Sequence, residues 1–274
     1  MPVESQRAKA ATFLASHREG TPIIVPNPWD EGSARLFERI GFKALATTSS
    51  GFAATHGRLD GAMSRDEILA NAAAIVDVTT LPVSADLEHG FGDDPADVAE
   101  TVRLAVGCGL AGCSIEDSTG RDGAPLYPVA KAVERLAAAA AVAHAGPVHL
   151  VLTGRAENHL HGVVDLGDTI ARLQAYQDAG ADVLYAPGLT DIGDIRRLVD
   201  AVDRPVNVLA RPGGPSVAEL GLAGVARVSV GGALCFAALG TAVRAATELL
   251  EEGTFGFWEQ TAGGLEAARA AFVE

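Results

Sequence analysis

Residues 109–118, GLAGCSIEDS, open on a glycine, run through a short apolar stretch and end in polar side chains. The same phrase recurs as GFKALATTSS from Gly41, GADVLYAP from Gly180 and GLAGVARVSVGG from Gly221. A glycine after a helical stretch closes the helix in the left-handed conformation that other residues resist. A run that is apolar at nearly every position fits a strand buried on both faces. The phrase is therefore a helix-to-strand step, and it repeats.

Four further runs, Pro22 to Pro26, Leu81 to Asp86, Val148 to Arg155 and Pro205 to Leu209, supply strands without the glycine entry. Together they give eight strand candidates, at Ile23, Leu45, Val83, Ser114, Leu150, Leu184, Val208 and Val228, with helical patterns such as Asp66 to Val78 and Thr169 to Ala179 between them. Parallel strands alternating with helices predict an α/β fold, a (βα)8 TIM-type barrel. A doubly wound sheet shares this rhythm but places a glycine-rich phosphate loop after its first strand. Here that strand ends in Pro26-Asn27-Pro28-Trp29-Asp30. The barrel is preferred.

A length of 274 residues suits one such domain, 1–274, with a C-terminal helical extension from about residue 233. Ala233 to Glu252 reads as a long apolar helix, and Phe255, Phe257 and Trp258 begin another short helical piece. Aromatic residues make up only 5% of the chain, so this cluster marks a surface that packs on something, either the chain itself or a second subunit.

Asp and Glu number 35 against 21 Lys and Arg, a formal charge of −14, which argues against a nucleic-acid footprint or a polybasic membrane patch. A small molecule is the expected partner, with no nucleic acid and no membrane. No unbroken run approaches the ~18 apolar residues of a membrane span, and residues 1–20 lack the pattern of a secretory signal. Cys108, Cys113 and Cys235 form no CxxC pair, which fits a reducing cytosol. The expected location is cytoplasmic.

Reaction centres of (βα)8 barrels lie at the carboxyl ends of the strands, and polar residues gather there: Asn27, Asp30, Ser49, Ser50, Gly51, Asp86, Glu88, His89, Glu116, Asp117, Arg155, Glu157, Asn158, Tyr185, Asn207, Arg211 and Ser229. Asp86, Glu88 and Glu116 follow neighbouring strands, so three carboxylates surround one point. Like charges that close repel unless a cation neutralises them, and clustered oxygens suit Mg2+ or Mn2+. Helix N-capping is the competing role for these acids. Arg155 ends the apolar run VHLVLTGR, either in an ion pair with Glu157 or Glu116 or as a fork for a substrate carboxylate. Ser49-Ser50-Gly51-Phe52 adds hydroxyls and amides able to bind an anion.

At these residues the sequence resembles the isocitrate lyase and phosphoenolpyruvate mutase superfamily, from about Ile23 to Gly240. The stretches that carry the resemblance are PNPWDEGSARLFERIGFKALATTSSG, HGRLDGAMSRDEIL, LPVSADLEHGFGDDPADVAETVRLAVGCGLAGCSIEDS and LTGRAENHL. It implies a barrel whose last helix is exchanged between subunits, in a dimer or homotetramer, and a Mg2+ or Mn2+ ion that binds a 2-oxo acid or its enolate. It implies that Asp86 and Glu88 occupy the acidic pair of the metal segment, with Asp60 in GRLDG and Glu116 in SIED as further carboxylates around the ion. Ser50, Gly51 and Phe52 match the segment that holds the substrate's carboxylate and oxo oxygen, and Arg155 matches the carboxylate-binding arginine. Asp60, Arg155 and Glu116 are the expected catalytic groups, and Asn207 is expected to contact substrate.

The implied activity is a metal-dependent carbon-carbon lyase or decarboxylase acting on a small 2-oxo or 2-hydroxy dicarboxylate. Carbon-phosphorus chemistry on phosphonopyruvate or phosphoenolpyruvate, and non-catalytic binding of a 2-oxo acid, are the alternatives. Two departures matter: Leu87-Glu88 stands where the family's metal segment has a small residue and a shorter acid, and the loop after the fourth strand differs. The lyases carry a K-[KR]-C-G-H loop after the fourth strand, whereas DSTGRDGAPLYPV, residues 117–129, contains no cysteine, lysine or histidine. Tyr127 and Arg121 remain as loop candidates, and Cys113 reads as a core residue.

Overall fold

The computed structural model describes residues 3–18 and 20–272. Residues 1–2 and 273–274, the outer ends of the expected domain, and residue 19 lie outside these. The chain runs α1 (Val3–Ser16), β1 (Ile23–Val25), α2 (Glu31–Ile40), β2 (Leu45–Ala46), α3 (Ser49–Thr55), α4 (Arg65–Asp77), β3 (Val83–Asp86), α5 (Pro95–Gly107), β4 (Gly112–Glu116) and α6 (Val129–Ala143). It continues through β5 (Val151–Arg155), α7 (Leu166–Asp178), β6 (Val183–Tyr185), α8 (Ile192–Asp200), β7 (Val206–Leu209), α9 (Val217–Leu222), β8 (Arg227–Ser229), α10 (Ala233–Glu251) and α11 (Trp258–Ala271).

All strand pairs are parallel, in the order β1-β8-β7-β6-β5-β4-β3-β2. At the seam, Ala46 N–H donates to the Pro26 carbonyl at 3.1 Å, so the sheet forms a nearly closed (βα)8 barrel. Leu45, Leu152 and Leu184 are fully buried in one core with Val98, Leu136, Leu173 and Ile195 of the helices. The amino end is plugged by α1, whose Ala10 and Phe13 pack on Val25, Ala44, Ala111, Val148, Val151 and Val183. Burying a side chain like Phe13 contributes about 1.5–3 kcal/mol.

Three of the four glycine entries have the expected left-handed backbone: Gly41, Gly109 and Gly180 have φ of 109°, 84° and 106°. In the fourth step that place belongs to Gly224, at φ 85°, while Gly221 lies inside α9. Gly221 serves close packing instead, because a Cβ there would stand 3.0 Å from the Gly20 carbonyl oxygen. Caps set the helix starts: Ser64 and Glu67 form a reciprocal box at α4, and Asp165 accepts from the Gly167 and Asp168 amides at α7.

The C-terminal helices are the least buried part. Only Cys235 is buried in α10 and nothing is in α11, while Phe236, Val243, Leu250 and Trp258 are exposed. The aromatic piece is longer than the sequence suggests, because α11 continues to Ala271 and packs on α2. By length and mean hydropathy α10 matches a membrane span, which a demand for unbroken apolar sequence passes over because Thr241, Arg244 and Glu248 interrupt it.

Candidate active site

Four carboxylates and one guanidinium converge at the carboxyl ends of β3, β4 and β5. Asp86 ends β3, Glu116 ends β4, Arg155 ends β5, Asp60 lies between α3 and α4, and Glu88 lies in the loop after β3. A cavity of about 400 Å³ is lined by Ser49, Asp60, Glu88, Glu116, Arg155 and His161, among others. Asp86 lies on a narrower adjoining space that shares Arg155 with it. The Ser49 hydroxyl stands 2.8 Å from Asp60 Oδ1 and 3.0 Å from Asp86 Oδ2. Its single proton serves one at a time, so Ser49 couples the two acids.

Arg155 forms the ion pair that one reading of the sequence expects. Its Nε donates to Glu157 and its Nη1 lies 3.3 Å from Glu116 Oε2 and 3.5 Å from Asp86 Oδ1, an internal ion pair. Its Nη2 donates to no described residue, and the side chain borders the cavity, which leaves an edge for an anion. Burial lowers the Arg155 pKa, but Glu116, Glu157 and Asp86 outweigh it and hold the group above its ordinary value.

The acids are overcrowded. Burial first, then Asp86 and Asp60, push the Glu88 carboxyl up to about 8, with Arg155 opposing. Burial and Asp86 raise Asp60, and burial raises Glu116 against the pull of Arg155. Glu88 Oε1 is buried with no hydrogen-bond partner among the described residues. An unpaired buried carboxylate oxygen among further carboxylates calls for a positive partner, and these hard oxygen donors fit Mg2+ or Mn2+. Helix capping, the competing role, falls to other residues, since α5 is capped by Asp94.

The segment carrying these acids is strained and braced. Glu88 and Phe91 have φ of 49° and 60°, in the left-handed region that side chains disfavour. The buried Arg135 guanidinium holds the turn by donating to the His89 and Gly92 carbonyls. It also sits 4.1 Å from the Tyr127 ring centroid.

The structure redistributes several expected contacts. In the Ser50–Phe52 segment, the Ser50 hydroxyl pairs with Thr48 Oγ1 at 3.1 Å and the Gly51 amide donates to Thr48 Oγ1 at 3.2 Å. The Phe52 ring packs edge-on against His56, with centroids 4.6 Å apart. The hydroxyl directed to the acids is Ser49's, because helix α3 starts at Ser49 and turns the next residue away. Asn207 is on the narrower space, but its amide donates to Ser229 Oγ and accepts from Arg227, both at 3.0 Å. Tyr127 and Arg121 both turn to Asp93 rather than to the carboxylates. Cys113 is fully buried, and burial pushes its thiol up to about 12.

Two groups were not singled out from the sequence. His161, in the loop after β5, places Nε2 3.2 Å from Ser118 Oγ on the same cavity. Its only sequence signal is a histidine-rich stretch, ENHLHG, after Arg155. Arg227 is buried on β8 and, among the described residues, bonds only neutral groups, Asn207, Thr153 and His17. Its only sequence signal is its place inside the apolar run VARVSV.

Comparison with known proteins agrees with this fold. A sequence profile for the family described as phosphoenolpyruvate phosphomutase matches residues 13–250. The chain is 30% identical to 2-methylisocitrate lyase of Escherichia coli over 210 residues, 74% of this chain and 70% of that one. It is 27% identical to oxaloacetate decarboxylase of Pseudomonas putida over 249 residues, 87% of this chain and 84% of that one. Among solved structures, a Burkholderia cenocepacia protein is 51% identical with a TM-score of 0.94, covering 98% of each chain. Oxaloacetate acetylhydrolase bound to oxalate is 26% identical with a TM-score of 0.82, covering 92% of this chain and 89% of that one. With the profile matched across the whole barrel, the chain belongs to the phosphoenolpyruvate phosphomutase family within the isocitrate lyase and phosphoenolpyruvate mutase superfamily, and is an enzyme of that type.

Proposed function

We propose that this protein is a divalent-metal-dependent lyase or decarboxylase that breaks a carbon-carbon bond in a small 2-oxo or 2-hydroxy dicarboxylate by way of an enolate. The observation that carries the reading is the unpaired Glu88 Oε1 within the cluster of Asp60, Asp86 and Glu116. Asp86 and Glu88 would hold Mg2+ or Mn2+, with Asp60 and Glu116 orienting its water. When bound, such a cation supplies Lewis-acid stabilisation of the charge that grows on a 2-oxo oxygen.

The chain's own groups do the rest. Arg155 offers its free Nη2 edge to a substrate carboxylate, while Glu116 and Glu157 keep the guanidinium charged and still. Ser49 keeps Asp60 and Asp86 in register, and Ser50, Gly51 and Phe52 form the first turn that backs the substrate. When the carbon-carbon bond breaks, its electron pair forms the enolate, which then takes a proton on carbon; a 2-oxo diacid would release carbon dioxide, and a 2-hydroxy acid would give up its hydroxyl proton to a base as that carbon becomes a carbonyl. With the loop cysteine of the lyases missing, His161, hydrogen-bonded to Ser118 on the cavity wall, would move that proton. The apolar faces of α10 and α11 support a homo-oligomer with exchanged C-terminal helices; a cytoplasmic location is part of the proposal.

Incubation with Mg2+ and oxaloacetate, 2-methylisocitrate or 2,3-dimethylmalate, followed by proton NMR, tests the reading. Cleavage of one of these that stops with chelator and drops in His161→Ala is expected. Turnover indifferent to chelator, no turnover of any, or conversion of phosphonopyruvate alone by phosphorus NMR would overturn it.

A further inference from the structure

The amino end of the barrel, opposite the acidic cavity, carries a second convergence of polar side chains. His144 directly follows α6, His149 stands in the loop entering β5, and Asp182 immediately precedes β6. Backbone hydrogen bonds fix all three positions. His144 N–H donates to the Ala140 carbonyl at 3.0 Å, Leu150 N–H, beside His149, to Ala143 at 2.9 Å, and Asp182 N–H to Leu152 at 2.8 Å.

The side chains meet on one carboxylate. His144 Nε2 lies 3.0 Å from Asp182 Oδ2 and His149 Nε2 lies 3.0 Å from Oδ1. The imidazoles stack with centroids 4.1 Å apart and planes 4° from parallel. One donor atom from each residue falls within 4.8 Å of the other two. Leu152 N–H also donates to Asp182 Oδ2 at 2.9 Å, which orients the acid from behind. No lysine or arginine of the described residues pairs with Asp182.

Two imidazole nitrogens and one carboxylate oxygen are the donor set of three-ligand zinc sites, which keep a remaining position for water. Imidazole favours zinc-like ions, whereas the all-oxygen cluster at the other end favours Mg2+. The donor sets at the two ends of the barrel therefore differ in the class of ion they suit. We propose that His144, His149 and Asp182 bind a transition-metal ion of the Zn2+ or Co2+ class, which staples the end of α6 and the β5 entry to β6. This site is independent of the catalytic reading, and its position on the face opposite the chemistry gives it a stabilising role.

The geometry also says how the ion is accepted. Each nitrogen lone pair lies in its ring plane, so two parallel rings cannot both point at one ion at the ~2.0–2.1 Å of a Zn–N bond. One ring has to turn, and His149, with 44% of its side chain exposed against 27% for His144, has the room.

Dialysis of the chelator-stripped full chain against Zn2+ in excess Mg2+, with bound metal read by atomic emission, tests this. One Zn2+ per chain is expected, retained by Asp86→Asn and bound at least ~10–100-fold more weakly by His144→Ala and His149→Ala, since even loss of an outer partner costs that much. Both histidine variants should show the native circular dichroism without metal. Co2+ should give visible absorption of an imidazole-ligated ion that His149→Ala abolishes. Absence of stoichiometric zinc, zinc kept at full affinity by both histidine variants, or zinc lost in Asp86→Asn would overturn the assignment.

Discussion

Arg155 Nη1 lies 3.3 Å from Glu116 Oε2, and the two residues are register partners on β5 and β4. The same pairing that holds the strands together thus sets the cation beside the acid whose upward shift by burial it opposes. Arg155→Gln should destabilise the protein by about 3–5 kcal/mol, the usual cost of stripping one partner from a buried pair. Urea unfolding measures it. Binding of a 2-oxo acid should be lost in Arg155→Gln and only weakened in Arg155→Lys, because lysine keeps the charge but not the planar fork.

Asp86 faces opposing pulls, attraction to Arg155 at 3.5 Å and repulsion from Glu88 and Asp60. Asp86→Asn should therefore leave the melting temperature in chelator nearly unchanged. Mg2+ at a hundred times its Kd should add about 2.7 kcal/mol to the native protein and almost nothing to the variant. Thermal unfolding with and without Mg2+ reads both, and an equal metal response in the two would remove Asp86 from the metal site.

Gly51 is a glycine for reasons of packing. A Cβ there would lie 2.7 Å from Thr48 Cγ2, 3.2 Å from Cys235 Cβ and 3.3 Å from Trp29 Cβ. Gly51→Ala should cost about 1–3 kcal/mol through overpacking. Adding Thr48→Ser removes the crowding methyl but keeps the hydroxyl that caps α3, so the double variant should recover much of that loss in a denaturant titration.

His17 should contribute a pH dependence of defined sign. Burial first, then Arg227, lower its pKa from 6.5 to about 3, and its Nδ1 donates to the Phe13 carbonyl at 2.8 Å. Below pH 6.5 the unfolded chain takes a proton that the folded chain refuses, so this stability is present above 6.5 and lost as pH falls toward 3. The slope approaches about 1.4 kcal/mol per pH unit for one proton. The stability difference between the native protein and His17→Gln should shrink steadily from pH 6.5 to 4.5; a difference independent of pH would show that His17 is not held neutral.

Much of this molecule was legible in one dimension. Strand and helix alternation, the glycine closures at Gly41, Gly109 and Gly180, and the acids at strand ends all follow from short-range rules: buried parallel strands must be apolar throughout, and a left-handed residue after a helix favours glycine. Asp86, Glu116 and Arg155 stood out because charged residues at the end of apolar runs need a reason to be there. Asp60 came only through family resemblance, since its loop has no apolar frame around it.

Other assignments waited for the folded chain. That the Ser49 hydroxyl, rather than that of Ser50, reaches the acids depends on the turn of α3. That Arg227 is a buried cation depends on β8 facing the barrel interior, and His161 meets the cavity only because two loops fold toward each other. The gathering of His144, His149 and Asp182 from three elements likewise exists only in space. Periodicity encodes which face of an element is covered, but a side chain's partners are set by neighbouring strands and loops far away in the chain, and those distances are properties of the packed barrel alone.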